Sequence, residues 1–253
     1  MYPEERQQVI LGRVRGKGRV DVTALAGEFE VTTETVRRDL TALERQGFVR
    51  RVHGGAIPVQ PLGFEPALSV RETVLTAEKC RIAKAAVTEL GDATTIMLDA
   101  GSTTARLADE LPADRELTVV THSVSIALAV VSRPNITVML VGGRLRGCTL
   151  ASVDDWAQQA YRDTFVDVAF IATNGLSPER GLTTPDPAEA LVKRAAVSAG
   201  RRRVLLADHT KVGNDHFARF GDLADIDTFI TDDAVDKAEA ARIQAAGPKV
   251  VTV

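Results

Sequence analysis

The stretch Val31-Thr32-Thr33-Glu34-Thr35-Val36-Arg37-Arg38-Asp39-Leu40-Thr41-Ala42-Leu43-Glu44-Arg45-Gln46-Gly47 decides how the first part of this chain folds. Thr32 offers a hydroxyl at the N-cap position, and Val31 and Val36 occupy the two positions of a hydrophobic staple. Val36, Leu40 and Leu43 recur at helical spacing as one apolar stripe. Thr33, Glu34, Arg37, Arg38 and Thr41 are left largely on the opposite side. Gly47 suits the left-handed position after such a helix. Upstream, Val9, Ile10 and Val14 predict a helix over residues 6–15, with Pro3 ahead of it as a starter. Thr23 is placed to cap a short second helix that runs to Phe29. Downstream, residues 48–55 read as a short β-wing carrying Arg50, Arg51 and His53.

Two short helices joined by three residues, the second bearing Arg and Thr near its start, have helix-turn-helix geometry. Arg37 and Arg38 alone would fit a solvated amphipathic helix better. Cap, staple, basic stripe and wing all point the same way, and together they favour a face for double-stranded DNA. The candidate contacts are Thr32, Thr33, Glu34, Thr35, Arg37, Arg38 and Thr41 on the helix, with Arg51 and His53 on the wing.

Charge is distributed to match. Over all 253 residues the net charge is -3, which by itself argues against a nucleic-acid binder. Residues 1–56, however, hold ten Lys/Arg against eight Asp/Glu, and five of those ten cations fall between positions 37 and 51. A basic face on an otherwise acidic chain fits a protein that touches DNA with one end. Hydrophobic residues at 45% and charged residues at 26% exclude a disordered or low-complexity chain.

Two cysteines, Cys80 and Cys148, make neither a disulfide framework nor a C-x-x-C site. The charge-free run 117–132 contains His122 and five hydroxyl residues, too polar and too short for a membrane span. The opening Met-Tyr-Pro-Glu-Glu-Arg is unlike a signal peptide. The expectation is a soluble, cytoplasmic protein with no membrane partner. His53, His122, His209 and His216 show no i, i+4 pairing, so no metal and no cofactor are expected.

Composition shifts twice along the chain. Residues 57–75 hold Pro58, Pro61, Gly63 and Pro66, which reads as an extended linker between a DNA-binding domain at 1–56 and a larger domain at 76–253. Past residue 78, strand-like runs at 95–98, 117–121, 137–141, 167–172, 203–207, 227–231 and 249–253 alternate with helical patterns. The helical patterns lie at 80–90, 123–131, 188–198 and 236–246. That alternation predicts an α/β fold, with a mostly parallel sheet and helices on both faces.

Several of these strands end in small polar residues. The first feeds Asp99-Ala100-Gly101-Ser102-Thr103-Thr104 and then a helix at 105–110. Open backbone N–H groups beside three hydroxyls can cradle an anion, although a plain strand-to-helix connection looks the same. A second strand ends in Thr121-His122-Ser123, a third in Gly142-Gly143-Arg144 and a fourth in Thr173-Asn174-Gly175. Strand ends of this kind place a pocket at the carboxyl edge of a parallel sheet. Lys211, just after another strand, either pairs with a phosphate or is an ordinary loop lysine.

Val31-Thr-x-x-Thr-Val-Arg-Arg-Asp-Leu40, followed by Leu43-Glu44-x-x-Gly47-x-Val49-x-Arg51-x-His53-Gly54-Gly55-Ala56, resembles the signature of the DeoR-type bacterial transcriptional regulators. Thr32 stands where the family commonly has Ser, which keeps the capping hydroxyl. The resemblance continues through Asp99-x-Gly101-Ser102-Thr103, Thr121-x-Ser123, Gly142-Gly143, Gly181-Leu-Thr-Thr-Pro-Asp186, Ala207-Asp208-x-Thr210-Lys211 and Asp227-Thr-x-Ile-Thr-Asp232. It thus covers essentially the whole chain.

The resemblance implies a winged helix-turn-helix domain followed by an effector domain similar to ribose-5-phosphate isomerases, which binds phosphorylated sugars as inducers. The chain looks most like the fructose-operon repressors, which makes fructose 1-phosphate the first choice of ligand. One helix-turn-helix face reads only a short half-site, so a homo-oligomer, dimer or tetramer, is expected on operator DNA. Two departures concern the pocket rim: His122 replaces the Asn of the usual Thr-Asn-Ser, and Val153-Asp154-Asp155 replaces Val-Gly-Pro.

An isomerase is the competing expectation. It needs a positioned carboxylate base. The isomerases that the resemblance points to place paired acids after the strand at 167–172, yet residues 172–175 hold none. Of the remaining candidates Asp99, Asp186 and Asp208, Asp99 and Asp208 read better as sugar-hydroxyl ligands or helix caps. No catalytic residue is therefore assigned, and the reading is a sensor. In it the helix start at Gly101-Ser102-Thr103-Thr104 holds the phosphate, Lys211 and Arg144 add charge, and Asp99 is left to accept from sugar hydroxyls.

Overall fold

The structure, a computed structural model, describes residues 2–45, 48–52, 54–58 and 62–253, with backbone alone at positions 4 and 15–17. The chain divides into two compact units, Met1–Pro61 and Leu62–Val253.

In the first unit, α1 (Pro3–Lys17), β1 (Val20–Asp21), α2 (Val22–Phe29), α3 (Thr33–Arg45), β2 (Val49–Val52) and β3 (Gly55–Pro58) follow in order. The three strands form an antiparallel sheet in the order β1-β3-β2. Pro3 opens α1 because its fixed φ suits the first helical position, and the helix ends at Gly18 in the left-handed region. The α2 cap is Asp21, whose Oδ1 accepts from the amides of Thr23 at 2.8 Å and Ala24 at 3.0 Å. The cap expected at Thr23 therefore sits two residues earlier.

Ile10, Val14, Leu25, Val36, Leu40, Leu43 and Val49 are buried together as the core of this unit. A Cβ at Gly55 would lie 1.9 Å from the carbonyl oxygen of Val20, so only glycine lets β3 close on β1. The helix-ending role expected of Gly47 lies outside the described residues.

The second unit runs α4 (Leu68–Thr73), α5 (Thr76–Val87), β4 (Thr95–Leu98), α6 (Ser102–Glu110), β5 (Leu117–Thr121), α7 (Val124–Val130), β6 (Ile136–Leu140), β7 (Arg144–Arg146), β8 (Ala151–Val153) and α8 (Asp154–Arg162). It continues with β9 (Val166–Ala172), β10 (Gly175–Ser177), β11 (Gly181–Thr184), α9 (Pro187–Ala199), β12 (Gly200–Leu206), β13 (Ala218–Gly221), β14 (Thr228–Thr231), α10 (Lys237–Ala245) and β15 (Lys249–Thr252).

Seven strands make one parallel sheet in the order β15-β14-β12-β9-β4-β5-β6. Alternate residues of the central strands enter opposite cores. Ile96, Leu98, Val168 and Phe170 join Ile82, Leu107 and Ile126 on one side, while Met97, Ala169 and Ile171 join Tyr161, Val192 and Ile243 on the other. Strands covered on both faces need apolar residues at every position, hence their continuous apolar runs.

The order of strands locates the site. From β4 the chain crosses through α6 to β5, and from β9 it crosses through α9 to β12 on the opposite flank. The neighbouring pair β4 and β9 is therefore a topological switch point, where a crevice opens beyond the carboxyl ends of the strands.

Residues 57–75 are not a linker throughout. Strand β3 extends to Pro58, and from Leu62 the chain belongs to the second unit. Phe217 N–H donates to Leu62 O at 3.1 Å, and Leu68 N–H donates to Cys148 O at 2.9 Å. The Glu65 carboxylate, 2% exposed, is paired with Arg146 at 2.8 Å. Pro66 lies in irregular backbone between these contacts.

Candidate functional site

A cleft of about 340 Å³, open mouth included, lies at the switch point. One wall is the start of α6. Its N-cap is Gly101, which supplies no capping side chain, so the first amides of the helix are left for another acceptor. A Cβ on Gly101 would stand 2.8 Å from Cβ of Ala172, and glycine alone lets the ends of β4 and β9 approach. Ser102 and Thr103 line the cleft. The Thr104 hydroxyl is turned back, donating to Gly101 O at 3.0 Å. Asn174 lines the far side after β9, Asp208 and Lys211 follow β12, and Arg71 reaches in from α4. Asp208 Oδ1 accepts from the Thr210 amide at 3.1 Å and from the Thr210 hydroxyl.

Beneath the cleft lies a buried charge network. Asp99 Oδ2 is 2.6 Å from Nζ of Lys193 and accepts from the Ala172 amide at 2.9 Å. Its Oδ1 accepts from the Ala100 amide at 2.8 Å and lies 3.2 Å from His122 Nε2. Burial pushes this carboxyl up, but the Lys193 ammonium and His122 more than offset it and hold it at about 2. Arg146 carries three carboxylates at once: Glu65 at 2.8 Å, Asp186 at 3.2 Å and Glu189. Burial raises the Glu189 carboxyl against the pull of Lys193, whose Nζ is 3.9 Å away.

The N-terminal unit presents a second site. Thr32 Oγ1 accepts from the Thr35 amide at 3.1 Å, the N-cap bond expected of it, and lies 2.9 Å from the Thr35 hydroxyl. Arg37 and Arg38 are exposed, only loosely paired with Glu34 at 3.7 and 3.8 Å. From β2, Arg51 Nη1 donates to Thr41 Oγ1 at 3.1 Å, and its amide donates to Glu44 Oε1 at 2.8 Å. Helix α3 and the wing thus share one polar face. Asp39, inside the motif, is buried beneath it on Arg6 at 2.5 Å and Gln7 at 3.2 Å.

Residues 6–61 match the DeoR-like helix-turn-helix domain, and residues 75–233 match the DeoR C terminal sensor domain. The chain belongs to the DeoR family. As a DeoR-family chain it is a DNA-binding transcriptional regulator and not an enzyme, which removes the isomerase alternative.

It is 37% identical over 251 residues to the HTH-type transcriptional regulator GlpR of Haloferax volcanii, covering 99% of this chain and 98% of that one. It is 34% identical over 234 residues to the uncharacterized HTH-type transcriptional regulator FruR of Bacillus subtilis, with 92% of each covered. The HTH-type transcriptional repressor GlcR of Bacillus subtilis is 31% identical over 232 residues, covering 92% of this chain and 89% of that one. Among solved structures, ribose 5-phosphate isomerase A of Methanocaldococcus jannaschii overlaps 53% of each chain at 17% identity and a TM-score of 0.38, too loose a likeness to bear on function.

Within this DeoR-family sensor unit, Gly101, Ser102, Thr103, Asn174 and Lys211 come together at the cleft as the sequence suggests. Asp99 does not serve as expected: with both oxygens occupied and no exposed surface, it cannot accept from a sugar. Thr121, His122 and Ser123 are also buried and internally bonded. Thr121 Oγ1 donates to Leu98 O at 2.7 Å, and Ser123 caps α7. His122 packs at a tilt on the Tyr161 ring, with 5.6 Å between centroids.

Gly142, Gly143 and Arg144 follow β6, two strands beyond β4 and roughly 10 Å across the sheet. Gly143 and Arg144 line a separate open depression with Asp154, Asp155 and Trp156, and Arg144 Nε is 2.6 Å from Asp154 Oδ2. They do not join the cleft. His53 lies outside the described residues.

Arg71, Arg146, Glu189 and Lys193 were not legible as site residues. Arg71 lies in the stretch read as linker, and Arg146 falls between the strand-like runs at 137–141 and 167–172. Glu189 and Lys193 sit within the helical pattern at 188–198 with nothing to set them apart from surface charges. Among the described residues no three His, Cys, Asp or Glu side chains gather to hold a metal ion, and no helix is long and apolar enough to cross a membrane.

Proposed function

We propose that this chain represses a sugar-catabolic operon and that its cleft senses phosphorylated sugars, with fructose 1-phosphate as first ligand. The observation that supports this most directly is the uncapped start of α6 facing Lys211 across the cleft. A phosphate there gains from the helix dipole and from charge-assisted hydrogen bonds. Asp208, rather than Asp99, is the carboxylate that takes sugar hydroxyls, because it lines the cleft whereas Asp99 lies outside its lining. Fructose as the sugar rests on the sequence resemblance and on the presence of FruR among the relatives.

The DNA face is α3 with the β2–β3 wing: Thr33, Arg37 and Arg38 nearest bases or phosphates, and Arg51 against the backbone. One such face reads a short half-site, so the working form is a homo-oligomer, at least a dimer. Sedimentation at micromolar concentration checks this, and a 27.1 kDa species alone would contradict it.

Calorimetry with fructose 1-phosphate and with free fructose, on the parent and on Lys211→Ala, tests the sensor reading. The phosphate ester binds the parent, and both loss of the phosphate and loss of Lys211 weaken binding. Equal affinity for the two sugars, unchanged in Lys211→Ala, would overturn it.

A further inference from the structure

Arg71 belongs to α4, the first helix of the second unit, and lines the cleft together with the start of α6. Its own partners are poor. Nη1 is 3.5 Å from Oε1 of Glu65, an oxygen that already accepts from Asn174 Nδ2 at 2.9 Å. The other oxygen of Glu65 is held by Arg146 at 2.8 Å. The Arg71 Nε is buried and has no hydrogen-bond partner. A buried guanidinium N–H without an acceptor is costly, and a planar fork beside an open cleft suits a phosphate bidentately. The helix itself is seated by Lys79, whose ammonium donates to Arg71 O at 2.5 Å and to Val74 O at 2.6 Å. Helix α4 is thus tied to α5 through the Arg71 carbonyl.

We infer that Arg71 exchanges its loose contact with Glu65 for the phosphate of the bound ligand, making it the third anion contact of the cleft and coupling occupancy to the position of α4. This rests on the phosphosugar reading of the same cleft. Lys211 and the α6 amides hold the phosphate on the fixed sheet framework, whereas Arg71 brings the segment that follows the DNA-binding unit. Glu65 is then a competitor: its carboxylate holds Arg71 when the cleft is empty and repels an incoming anion.

The test uses the full-length protein, fructose 1-phosphate, free fructose and inorganic phosphate, read by calorimetry and by amide hydrogen exchange over residues 62–75. In the parent, fructose 1-phosphate slows exchange in this segment. Arg71→Ala weakens fructose 1-phosphate by about ten- to a hundredfold, as expected for hydrogen bonds to a charged group, and abolishes the slowing even at saturating ligand. Arg71→Lys recovers part of the affinity, because it keeps the charge without the fork. Glu65→Gln binds fructose 1-phosphate and inorganic phosphate more tightly than the parent, a gain that a purely structural role for Arg71 and Glu65 would not produce.

If Arg71→Ala binds and responds like the parent while Lys211→Ala does not, the inference fails and the phosphate site stands. If the parent binds none of the phosphorylated compounds, both fail.

Discussion

The Lys193 ammonium stands 2.6 Å from Oδ2 of Asp99, and the two side chains are 1% and 0% exposed. The same carboxylate oxygen accepts from the Ala172 amide, so one ion pair ties the end of β4 to the end of β9 directly below the cleft. Removing one partner of such a pair leaves an uncompensated buried charge, a larger loss than the pair itself is worth. Lys193→Met is expected to destabilise the protein by about 3–5 kcal/mol in urea unfolding. A loss below about 1 kcal/mol would show that Asp99 finds water or a proton instead.

Acid sensitivity follows from the same carboxyl. In the fold it sits at about 2 against an ordinary 3.8, so the unfolded chain takes up this proton first as pH falls. Its contribution is complete above about pH 5 and is lost progressively as pH falls through 3.8 toward 2. Nearly two units correspond to about 2 kcal/mol. Glu189 works in the opposite sense, because burial raises its carboxyl and protonation relieves it. The difference in stability between the parent and Asp99→Asn isolates the first effect. That difference should narrow by about 2 kcal/mol between pH 5 and pH 2. A constant difference would contradict the assignment.

Arg6 and Asp39 join α1 to α3 in the same manner, with 7% and 5% of their side chains exposed. Arg6→Met is expected to cost about 3 kcal/mol in the N-terminal unit and to weaken DNA binding without removing a DNA contact. Two readouts separate the causes: the variant melts earlier, and at low temperature, where the unit is still folded, its affinity for DNA returns to the parental value. Weak binding that persists in the folded variant would mean that Arg6 itself touches DNA.

The sheet and the DNA-binding helices were legible because their signals are local. Strand runs such as 95–98 and 117–121 are mostly apolar, broken only by Thr, and lead into small polar residues, and α3 carries its cap, stripe and basic face within seventeen positions. The helix α8 left a weaker trace: over Asp154–Arg162 only Ala157 and Tyr161 are buried, and Trp156 is exposed. The cleft was only half legible. Strand ends can be recognised one at a time, but strand order decides which of them meet, and order is a property of long-range pairing. Thus Gly142-Gly143-Arg144 looked like a strand end of the same kind as Gly101, yet β6 lies at the sheet edge. Asp99 looked like a ligand because its partner Lys193 is 94 positions away.

The exposed arginines of α3 give the last prediction. The guanidiniums of Arg37 and Arg38 lie 3.7 and 3.8 Å from Glu34, and pairs this exposed contribute little, so both cations are available to a stronger anion. If they rest on phosphates, each bound arginine releases condensed counterions, and binding to any duplex falls with salt along a slope set by the number of contacts. Replacing both with alanine should make that slope shallower by about 1.8, independent of DNA sequence. If Arg37 instead reads a guanine, Arg37→Ala leaves the slope for random duplex nearly unchanged and costs about 1–3 kcal/mol on the operator alone. Fluorescence anisotropy with a random duplex and an operator duplex across a salt series separates the two roles. A double variant that matches the parent on both duplexes would remove α3 from the DNA interface.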